Sequence, residues 1–226
     1  MAATTKRIEL FYDVISPYTW YAFEVLMRYK THWNVSVELK PFLLGAIMKG
    51  SGNTPPAFVP NKGKYMMKDI PRLSRYFNVP LKLLSDPGKS MFERGSLVPN
   101  RFLTATDLLY PDHLEGVTRA IWMELWNKDE DITSAPILER AGKAGGLSDE
   151  QLKKILGHMT EQVTKDRLKA YSNLALEYGA FGSPTIVAHA GGKPMMFFGS
   201  DRFPVLANEI GEKWLGPDPD NQKSLL

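Results

Sequence analysis

The first forty residues carry a strand, a helix and a second strand, joined by short connections. Residues 7–14 (RIELFYDV) have apolar side chains on both faces, which is typical of a strand buried on both sides. Residues 18–29 carry apolar side chains at helical spacing, and Ser16 and Pro17 before them are start signals. Residues 35–42 alternate apolar and polar side chains, as a second strand does. A strand, a helix and a strand with short connections form a βαβ unit, which implies parallel strands and a right-handed crossover. The chain therefore begins as an α/β fold.

Helical patterns occupy the middle of the chain. Residues 43–63 precede them and are rich in glycine and proline, so we expect a long irregular segment there, of the kind that often carries function. The predicted helices cover roughly 66–77, 98–109, 112–127, 134–144, 148–157 and 160–179.

Strand signals return after the helices. Residues 184–189 (PTIVAH) and 193–198 (KPMMFF) are short apolar runs joined by two glycines, which predicts a hairpin. Without the helical block, the order of elements is that of a thioredoxin fold. The sequence thus predicts an α/β, thioredoxin-like fold interrupted by an all-helical insertion domain. Residues 1–63 and 180–226 are expected to form the discontinuous thioredoxin-like domain, and residues 64–179 the insertion.

A helix and a polar tail are expected at the C-terminal end. Ser200 and Asp201 are typical capping residues for a helix that runs to about Trp214. Residues 217–226 are polar, and we expect them to be loosely held. Residues 224–226 (SLL) only partly match the Ser-Lys-Leu peroxisomal address.

The composition excludes several classes of function. The 226 residues include no cysteine, which rules out a disulfide framework, a zinc–thiolate site and an iron–sulfur cluster. The four histidines show no metal-binding spacing, so no metal site is expected. The net charge of +3 is spread along the chain, and we expect no nucleic-acid partner. Without a signal peptide or a long apolar run, we expect an intracellular protein with no membrane partner.

Ser16, Pro17, Tyr18 and Thr19 form the turn from the first strand into the first helix. Thioredoxin-like proteins have Cys-x-x-Cys at this turn, with the first thiol acidified by the helix N-terminus. Here both positions hold hydroxyl side chains, so disulfide exchange by the protein's own sulfur is impossible. The helix N-terminus still favours an anion, and the thiolate of a bound small molecule is one. Ser16 can equally be an ordinary N-cap, and the turn alone leaves both interpretations open.

Two further motifs lie where this fold brings chain segments together. Ser183-Pro184 precedes the third strand, where thioredoxin-like folds have a cis proline, and the residue before it offers backbone groups to an extended peptide. A proline at the first residue of a strand is also ordinary. Ser200, Asp201 and Arg202 come at the start of the last helix. Besides capping, Asp201 suits a ligand ammonium group, and Ser200 with the helix N–H groups suits a carboxylate.

These motifs together resemble those of the kappa class of glutathione transferases. The similarity covers nearly the whole chain and is carried by residues 9–14, 16–18, 48–49, 51–53, 55–56, 101–105, 130–133, 178–182, 198–202 and 211–214. The resemblance implies a thioredoxin-like fold of the DsbA type with a helical insertion. It also implies a detoxification enzyme that activates the thiol of glutathione, conjugates it to electrophiles such as aryl halides, or reduces hydroperoxides.

The resemblance assigns roles to individual residues. The implied glutathione-binding residues are Ser16, Pro17, Tyr18, Asn53, Lys62, Ser183, Pro184, Ser200, Asp201 and Arg202. Ser16 corresponds to the catalytic residue whose hydroxyl group bonds the glutathione sulfur. Lys62 suits a glutathione carboxylate, Ser183 binds the cysteinyl part through its backbone, and Ser200 and Asp201 match the γ-glutamyl site.

Two positions of the implied site and the C-terminal address depart from the family's pattern, since residues 224–226 (SLL) replace the Ala-Arg-Leu address of mammalian members. Ser183 stands where mammalian members tend to have leucine, and Thr19 replaces a serine that is common in relatives. The implied contact of residue 183 uses backbone atoms, so we expect this change to be tolerated.

The resemblance also implies partners and a location. Glutathione is the co-substrate, small electrophiles are the second substrates, and no cofactor is bound permanently. Family members form homodimers and occur in mitochondria and peroxisomes. We expect the electrophile to lie between Ser16 and the helical insertion, lined by apolar groups of residues 43–48 and 98–105.

Two alternatives remain open. The first is a glutathione-dependent isomerase of 2-hydroxychromene-2-carboxylate, which shares the fold and the serine and does not consume glutathione. The second is a non-catalytic thioredoxin-like binding or chaperone module that has lost its cysteines. Loss of free thiol during turnover separates the transferase from the isomerase, and the acidity of the bound thiol separates both enzymes from a binding module.

Overall fold

A computed structural model describes residues 6–221, so the partial address at residues 224–226 lies outside the described residues. Four strands form one mixed sheet in the spatial order β2-β1-β3-β4. Their bounds are β1 Lys6–Tyr12, β2 Val35–Pro41, β3 Thr185–His189 and β4 Met195–Phe198. This mixed sheet, interrupted in sequence by helices, confirms the predicted α/β fold.

Strand pairing confirms the predicted opening unit and hairpin. β1 and β2 are parallel, and α1 (Pro17–Tyr29) connects them. β1 is antiparallel to β3 on its other side, and β3 is antiparallel to β4. The central strand β1 is buried on both faces, because Leu10 joins the main core with α1 whereas Phe11 joins a smaller core with Val187.

Eight further helices lie within the described residues: α2 Leu44–Ser51, α3 Pro60–Tyr76, α4 Leu97–Leu109, α5 Leu114–Trp122, α6 Ala135–Ala144, α7 Asp149–His158, α8 Gln162–Glu177 and α9 Phe203–Glu209. Of these, α3 to α8 correspond to the predicted helical block. Short 3-10 turns lie at Pro56–Phe58 and Pro111–His113, and π-helical turns at Lys89–Arg94 and Met123–Asn127. Within residues 6–221, no helix combines the length and the apolar character that crossing a membrane requires.

The prediction of a long irregular segment at residues 43–63 is wrong. α2 fills its first part and buries Ile47 in the small core that also holds Phe11. α3 begins at Pro60, where a proline is favourable because the first turn leaves its N–H unpaired in any case. Burial of apolar side chains outweighs the weak helix propensity of the glycines. The domain division itself stays a prediction, and its boundary after residue 63 falls within α3.

The predicted capping of the last helix by Ser200 and Asp201 is wrong. α9 begins at Phe203 with Arg202 at the N-cap, so both residues lie in the turn before the helix. Pro204 explains the late start. In a helix that began at Ser200, the proline would stand where a backbone N–H must donate, whereas the first turn needs no such donor.

The C-terminal tail is held more firmly than expected over its described part. Residues 217–219 are buried. The guanidinium group of Arg28 donates to the Pro217 carbonyl at 2.9 Å, and the Tyr29 hydroxyl donates to the Gly216 carbonyl at 2.7 Å. The expectation of a loose tail is therefore wrong for these residues, because α1 supplies donors that pair with the tail's backbone carbonyls.

The helical insertion packs directly on α1 and the sheet. The Trp122 ring of α5 stacks on Trp20 with ring centroids 6.3 Å apart and contacts Phe23 at 4.8 Å. The hydroxyls of Tyr12 and Thr118 share a hydrogen bond of 2.8 Å within the same contact. One continuous apolar core therefore extends from β1 and α1 into α5, α6 and α7. This contact packs the insertion directly against α1.

Gly145 should not tolerate a methyl group. A Cβ there would lie 2.5 Å from the backbone nitrogen of Val117 in α5, and a backbone atom cannot move aside cheaply. We expect Gly145→Ala to lower the free energy of unfolding by about 1–3 kcal/mol, as overpacked sites do. Gly157→Ala is the matched control, because α7 leaves open space there and alanine favours a helix by about 0.5–1 kcal/mol. Urea denaturation measures both, and a Gly145→Ala protein as stable as wild type would contradict this packing.

Candidate functional site

A cavity of about 1180 Å³ opens between the end of the sheet and the helical insertion. Most of its lining residues are drawn from the segments 15–18, 43–48, 53–69, 91–97, 181–184 and 198–201, not every residue of which faces the cavity. All predicted site residues except Arg202 lie in this lining. The fold therefore brings together segments that are up to 186 residues apart in the sequence.

Ser16 lies at the floor of the cavity, at the N-terminus of α1. Its backbone is extended, its side chain makes no capping hydrogen bond, and the residue is only 5% exposed. The hydroxyl instead donates to the backbone carbonyl of Ser183 at 3.3 Å. No acidic residue stands in the first turn of α1, so the helix N-terminus keeps its preference for an anion. Ser16 thus occupies the N-cap position, but its hydroxyl does not accept a hydrogen bond from the backbone N–H groups of the first helical turn.

The Ser183–Pro184 peptide bond is cis, as the thioredoxin-like order of elements predicts. The Ser183 hydroxyl shares a hydrogen bond of 2.7 Å with the hydroxyl of Thr19 on α1. The backbone N–H of Asp13 donates to the same Ser183 oxygen at 3.4 Å. The hydrogen bond between these two hydroxyl groups therefore ties the loop before β3 to α1. Thr19 stands at the second cysteine position of the Cys-x-x-Cys turn of thioredoxin-like proteins.

Asp13 is a buried acid behind Ser16 that the sequence reasoning missed. Its carboxylate accepts hydrogen bonds from the N–H of Ile15 at 3.0 Å, the N–H of Leu44 at 2.8 Å and the hydroxyl of Ser96 at 2.8 Å. Burial raises the pKa of Asp13, and these hydrogen bonds oppose the rise. An acidic residue at the end of a strand buried on both faces was the available signal, because such a side chain needs partners in the interior.

Asn53 and Lys62 lie at the rim of the cavity with different roles. The Asn53 amide group donates to the Phe181 carbonyl at 2.7 Å, and its oxygen accepts from the Thr54 N–H at 2.8 Å. Asn53 thus ties the end of α2 to the loop before β3. Lys62, in the first turn of α3, is exposed, and no ion pair with another described residue engages its ammonium group. Lys62 is therefore available to an anionic ligand.

Ser200 and Asp201 line the cavity, whereas Arg202 does not. Ser200 is 5% exposed, and Asp201 is largely exposed. The guanidinium group of Arg202 donates to the Asp201 carboxylate from outside the cavity. Gly199 before them adopts a φ of +96°, a conformation that glycine tolerates best, and this turns Ser200 towards the cavity.

An apolar wall faces the polar end of the cavity. It consists of Met48, Met66, Leu73, Met91, Phe92 and Leu97. The expectation that residues 43–48 contribute is supported, since Leu43, Leu44 and Met48 are in the lining. The expectation for residues 98–105 is wrong, because α4 turns Phe102 and its neighbours into the core, where they are fully buried.

Tyr18 and Asp69 form a second polar contact inside the cavity. The Tyr18 hydroxyl donates to the Asp69 carboxylate at 3.3 Å, which links the first turn of α1 to α3. Burial, and then the charge of Asp69, raise the pKa of Tyr18. Tyr65, one turn before Asp69, also bonds this carboxylate, which raises the pKa of the Tyr65 hydroxyl. Both tyrosines therefore stay protonated donors at neutral pH.

Comparisons with known proteins agree with the thioredoxin-like fold. Residues 7–211 match the family model of the DSBA-like thioredoxin domain. The chain is 45% identical over 226 residues to glutathione S-transferase kappa 1 of Rattus norvegicus, with 100% of each chain covered. It is 43% identical to the Homo sapiens protein of the same name, with 97% of each chain covered. It is similar in fold alone to a 2-hydroxychromene-2-carboxylate isomerase, with a TM-score of 0.73, 15% identity, and 91% and 94% of the two chains covered.

The buried carboxyl of Asp13 should give stability an unusual pH dependence. Because its folded-state pKa lies above the unfolded value, folding favours the protonated form. The contribution of Asp13 to the free energy of unfolding is full below its unfolded-state pKa and is lost as the pH rises through its folded-state pKa. We therefore expect the stability of wild type relative to Asp13→Asn to fall with rising pH, as measured by urea denaturation between about pH 4 and pH 8.

Glu124 supplies the control with the opposite sign. Hydrogen bonds and ion pairs from Arg140 and Lys128 outweigh its burial and lower the pKa of Glu124. The stabilisation that Glu124 contributes, measured as the free energy of unfolding of wild type minus that of Glu124→Gln, should therefore be full above the unfolded-state pKa. It should be lost as the pH falls through the folded-state pKa. Parallel pH profiles for the two variants would contradict the assignment for Asp13.

Proposed function

This chain belongs to the kappa class of glutathione S-transferases, and we propose that its cavity binds glutathione with the sulfur beside the Ser16 hydroxyl. The protein is a glutathione transferase, with glutathione as its co-substrate. In the proposed mechanism, Ser16 and the N-terminus of α1 stabilise the glutathione thiolate. The thiolate then attacks small electrophiles held between Ser16 and the apolar wall.

The observation that carries this mechanism is the position of the Ser16 hydroxyl. It lies in the cavity lining, at the N-terminus of a 13-residue helix without acidic residues in its first turn, and it makes no capping bond. A sulfur beside it meets a hydroxyl donor and the positive end of the helix dipole. A hydrogen bond to a charged acceptor contributes about 1.5–3 kcal/mol, which corresponds to one to two pKa units. Since an ordinary thiol has a pKa of about 8.5, the thiolate of bound glutathione is then substantially populated at neutral pH.

Three groups of the lining fit the ends of the tripeptide. The ammonium group of Lys62 suits the glycine carboxylate, since it has no competing ion pair among the described residues. Asp201 suits the ammonium group of the γ-glutamyl end, and Ser200 suits its carboxylate. The backbone of Ser183 suits the cysteinyl residue, which runs past it as an added strand does.

The reaction balances without any group from a cofactor. With an aryl halide, the thiolate sulfur forms a bond to the ring carbon, and the halide leaves with the electron pair. The thiol proton passes to solvent. With a hydroperoxide, the thiolate attacks the outer oxygen and releases an alcohol, and a second glutathione yields the disulfide and water. The apolar wall, with Met66, Met91 and Phe92, suits the apolar part of either substrate.

We extend the proposal to assembly and location on the same family membership. Homodimers and a mitochondrial or peroxisomal location are proposed for this chain, together with a role in detoxification. Sedimentation at micromolar concentration tests the first, and the distribution of the untagged protein among organelle fractions tests the second. A monomer, or a protein confined to the cytosol, contradicts the respective part.

Removal of the Ser16 hydroxyl should make the bound thiol less acidic. We expect Ser16→Ala to raise the pKa of bound glutathione by about one unit, since a hydrogen bond to the thiolate is lost. Conjugation below this pKa should slow by about tenfold. Thiolate absorbance and initial rates across pH measure the two effects. Ser51→Ala, which removes an exposed hydroxyl outside the cavity lining, should leave both unchanged.

The same assays separate the transferase from its two alternatives. Constant free thiol during turnover identifies an isomerase. A bound thiol with the acidity of free glutathione, unaltered by Ser16→Ala, identifies a binding module.

Lys62 should affect the binding of glutathione without affecting its ionisation. We expect Lys62→Met to raise the KM for glutathione by about threefold to tenfold, because an exposed charge-assisted contact is lost. The thiol pKa at saturation should not change. Lys64→Met is the matched control on the same turn of α3, since Lys64 is exposed but lies outside the cavity lining. Equal KM values for the two variants would contradict the role of Lys62.

A further inference from the structure

The single donor of Ser16 is engaged by a backbone carbonyl of the protein itself. A serine hydroxyl has one O–H group, and here it donates to the Ser183 carbonyl at 3.3 Å. The bond is longer than the usual range for O–H···O hydrogen bonds, so it is weak. No other donor among residues 6–221 contacts this carbonyl. If the hydroxyl turns away, a largely buried carbonyl loses its partner, which is unfavourable.

The two oxygens match the two polar atoms of one cysteinyl residue. The Ser16 hydroxyl oxygen and the Ser183 carbonyl oxygen are 3.3 Å apart. Within a cysteinyl residue in a gauche rotamer, the amide nitrogen and the sulfur are about 3 Å apart. One residue can therefore set its N–H on the carbonyl and its sulfur on the hydroxyl at the same time.

We propose that glutathione acidifies its own thiol by an exchange of donors at Ser183. This inference rests on the proposed function. The cysteinyl N–H of glutathione donates to the Ser183 carbonyl in place of the Ser16 hydroxyl. The Ser16 hydroxyl is then free to donate a hydrogen bond to the sulfur. The exchange leaves no buried carbonyl without a donor, and it gives the hydroxyl a charged acceptor, which forms the stronger bond. Recognition of the peptide backbone is thereby coupled to activation of the thiol.

Thr19 is the positioning residue of this exchange. Its hydroxyl, fully buried, bonds the Ser183 hydroxyl at 2.7 Å, and the Asp13 N–H supports the same oxygen at 3.4 Å. These contacts hold Ser183 from its side-chain end, so its carbonyl stays within reach of Ser16.

A thiol without the adjacent amide tests the exchange. The probe is a glutathione analogue in which an ester oxygen replaces the cysteinyl amide nitrogen, so only the N–H is lost. We expect wild type to lower the thiol pKa of bound glutathione more than that of the ester, by at least about half a unit, or threefold in the thiolate ratio. In Ser16→Ala this difference between the two ligands should disappear.

The outcomes separate this inference from the proposed function. Equal acidification of both thiols by wild type overturns the exchange and leaves the proposed function standing. A difference that persists in Ser16→Ala also overturns it, because the amide then acts without the hydroxyl. No acidification of glutathione itself contradicts the proposed function.

The Thr19 variants provide a second measurement that does not depend on binding of the ester. Thr19→Val keeps the shape of the side chain and removes the hydroxyl, whereas Thr19→Ser keeps the hydroxyl as the matched control. We expect the thiol pKa of bound glutathione to rise by about half a unit in Thr19→Val and to stay at the wild-type value in Thr19→Ser. An unchanged thiol pKa in Thr19→Val contradicts the positioning role, whatever the free energy of unfolding of the variant.

Discussion

The carboxyl group of Asp13 joins the segments from which the polar end of the cavity is built. It accepts hydrogen bonds from the N–H of Ile15 in the turn before α1, from the N–H of Leu44 at the start of α2 and from the hydroxyl of Ser96 before α4. Each donor comes from a different part of the chain, and a buried carboxyl is tolerable only when such donors are all present. The same carboxyl therefore ties the turn before α1 to the start of α2 and to the start of α4.

The insertion contributes the other half of the site by packing, not by polar contacts. Trp122 stacks on Trp20 and continues the main core from α1 into the insertion. The insertion carries Met66, Met91 and Phe92 of the apolar wall, and its core packs directly against α1. The cavity therefore has a polar end and an apolar side, which suit the charged tripeptide and the apolar electrophile of the proposed function. Both environments arise in one fold because the insertion interrupts the thioredoxin-like order of elements beside this cavity.

Hydroxyl groups occupy the positions that thiols hold in related folds. Ser16 and Thr19 stand in the place of a Cys-x-x-Cys pair, and both turn towards Ser183. A serine is a poor nucleophile without a base, but a good hydrogen-bond donor to sulfur. The proposed chemistry follows from this difference in residue type: the chain has no cysteine sulfur of its own at these positions, and in the proposed mechanism it stabilises the sulfur of glutathione instead. The electrostatic setting of the helix N-terminus is the same in both cases.

The sequence by itself determined the order of elements, because apolar periodicity records which faces are buried, and the opening strand–helix–strand unit admits one handedness. It also located Ser16, Ser183 and Ser200, since turn chemistry and family motifs are local signals. Tertiary structure decided the rest. α2 forms in a glycine-rich segment because Ile47 finds a core, and Phe102 leaves the cavity because α4 turns it inwards. Asp13 becomes a junction, and Thr19 meets Ser183, only through contacts between residues distant in sequence. No local pattern encodes such contacts, because their energy depends on which surfaces the complete fold brings together.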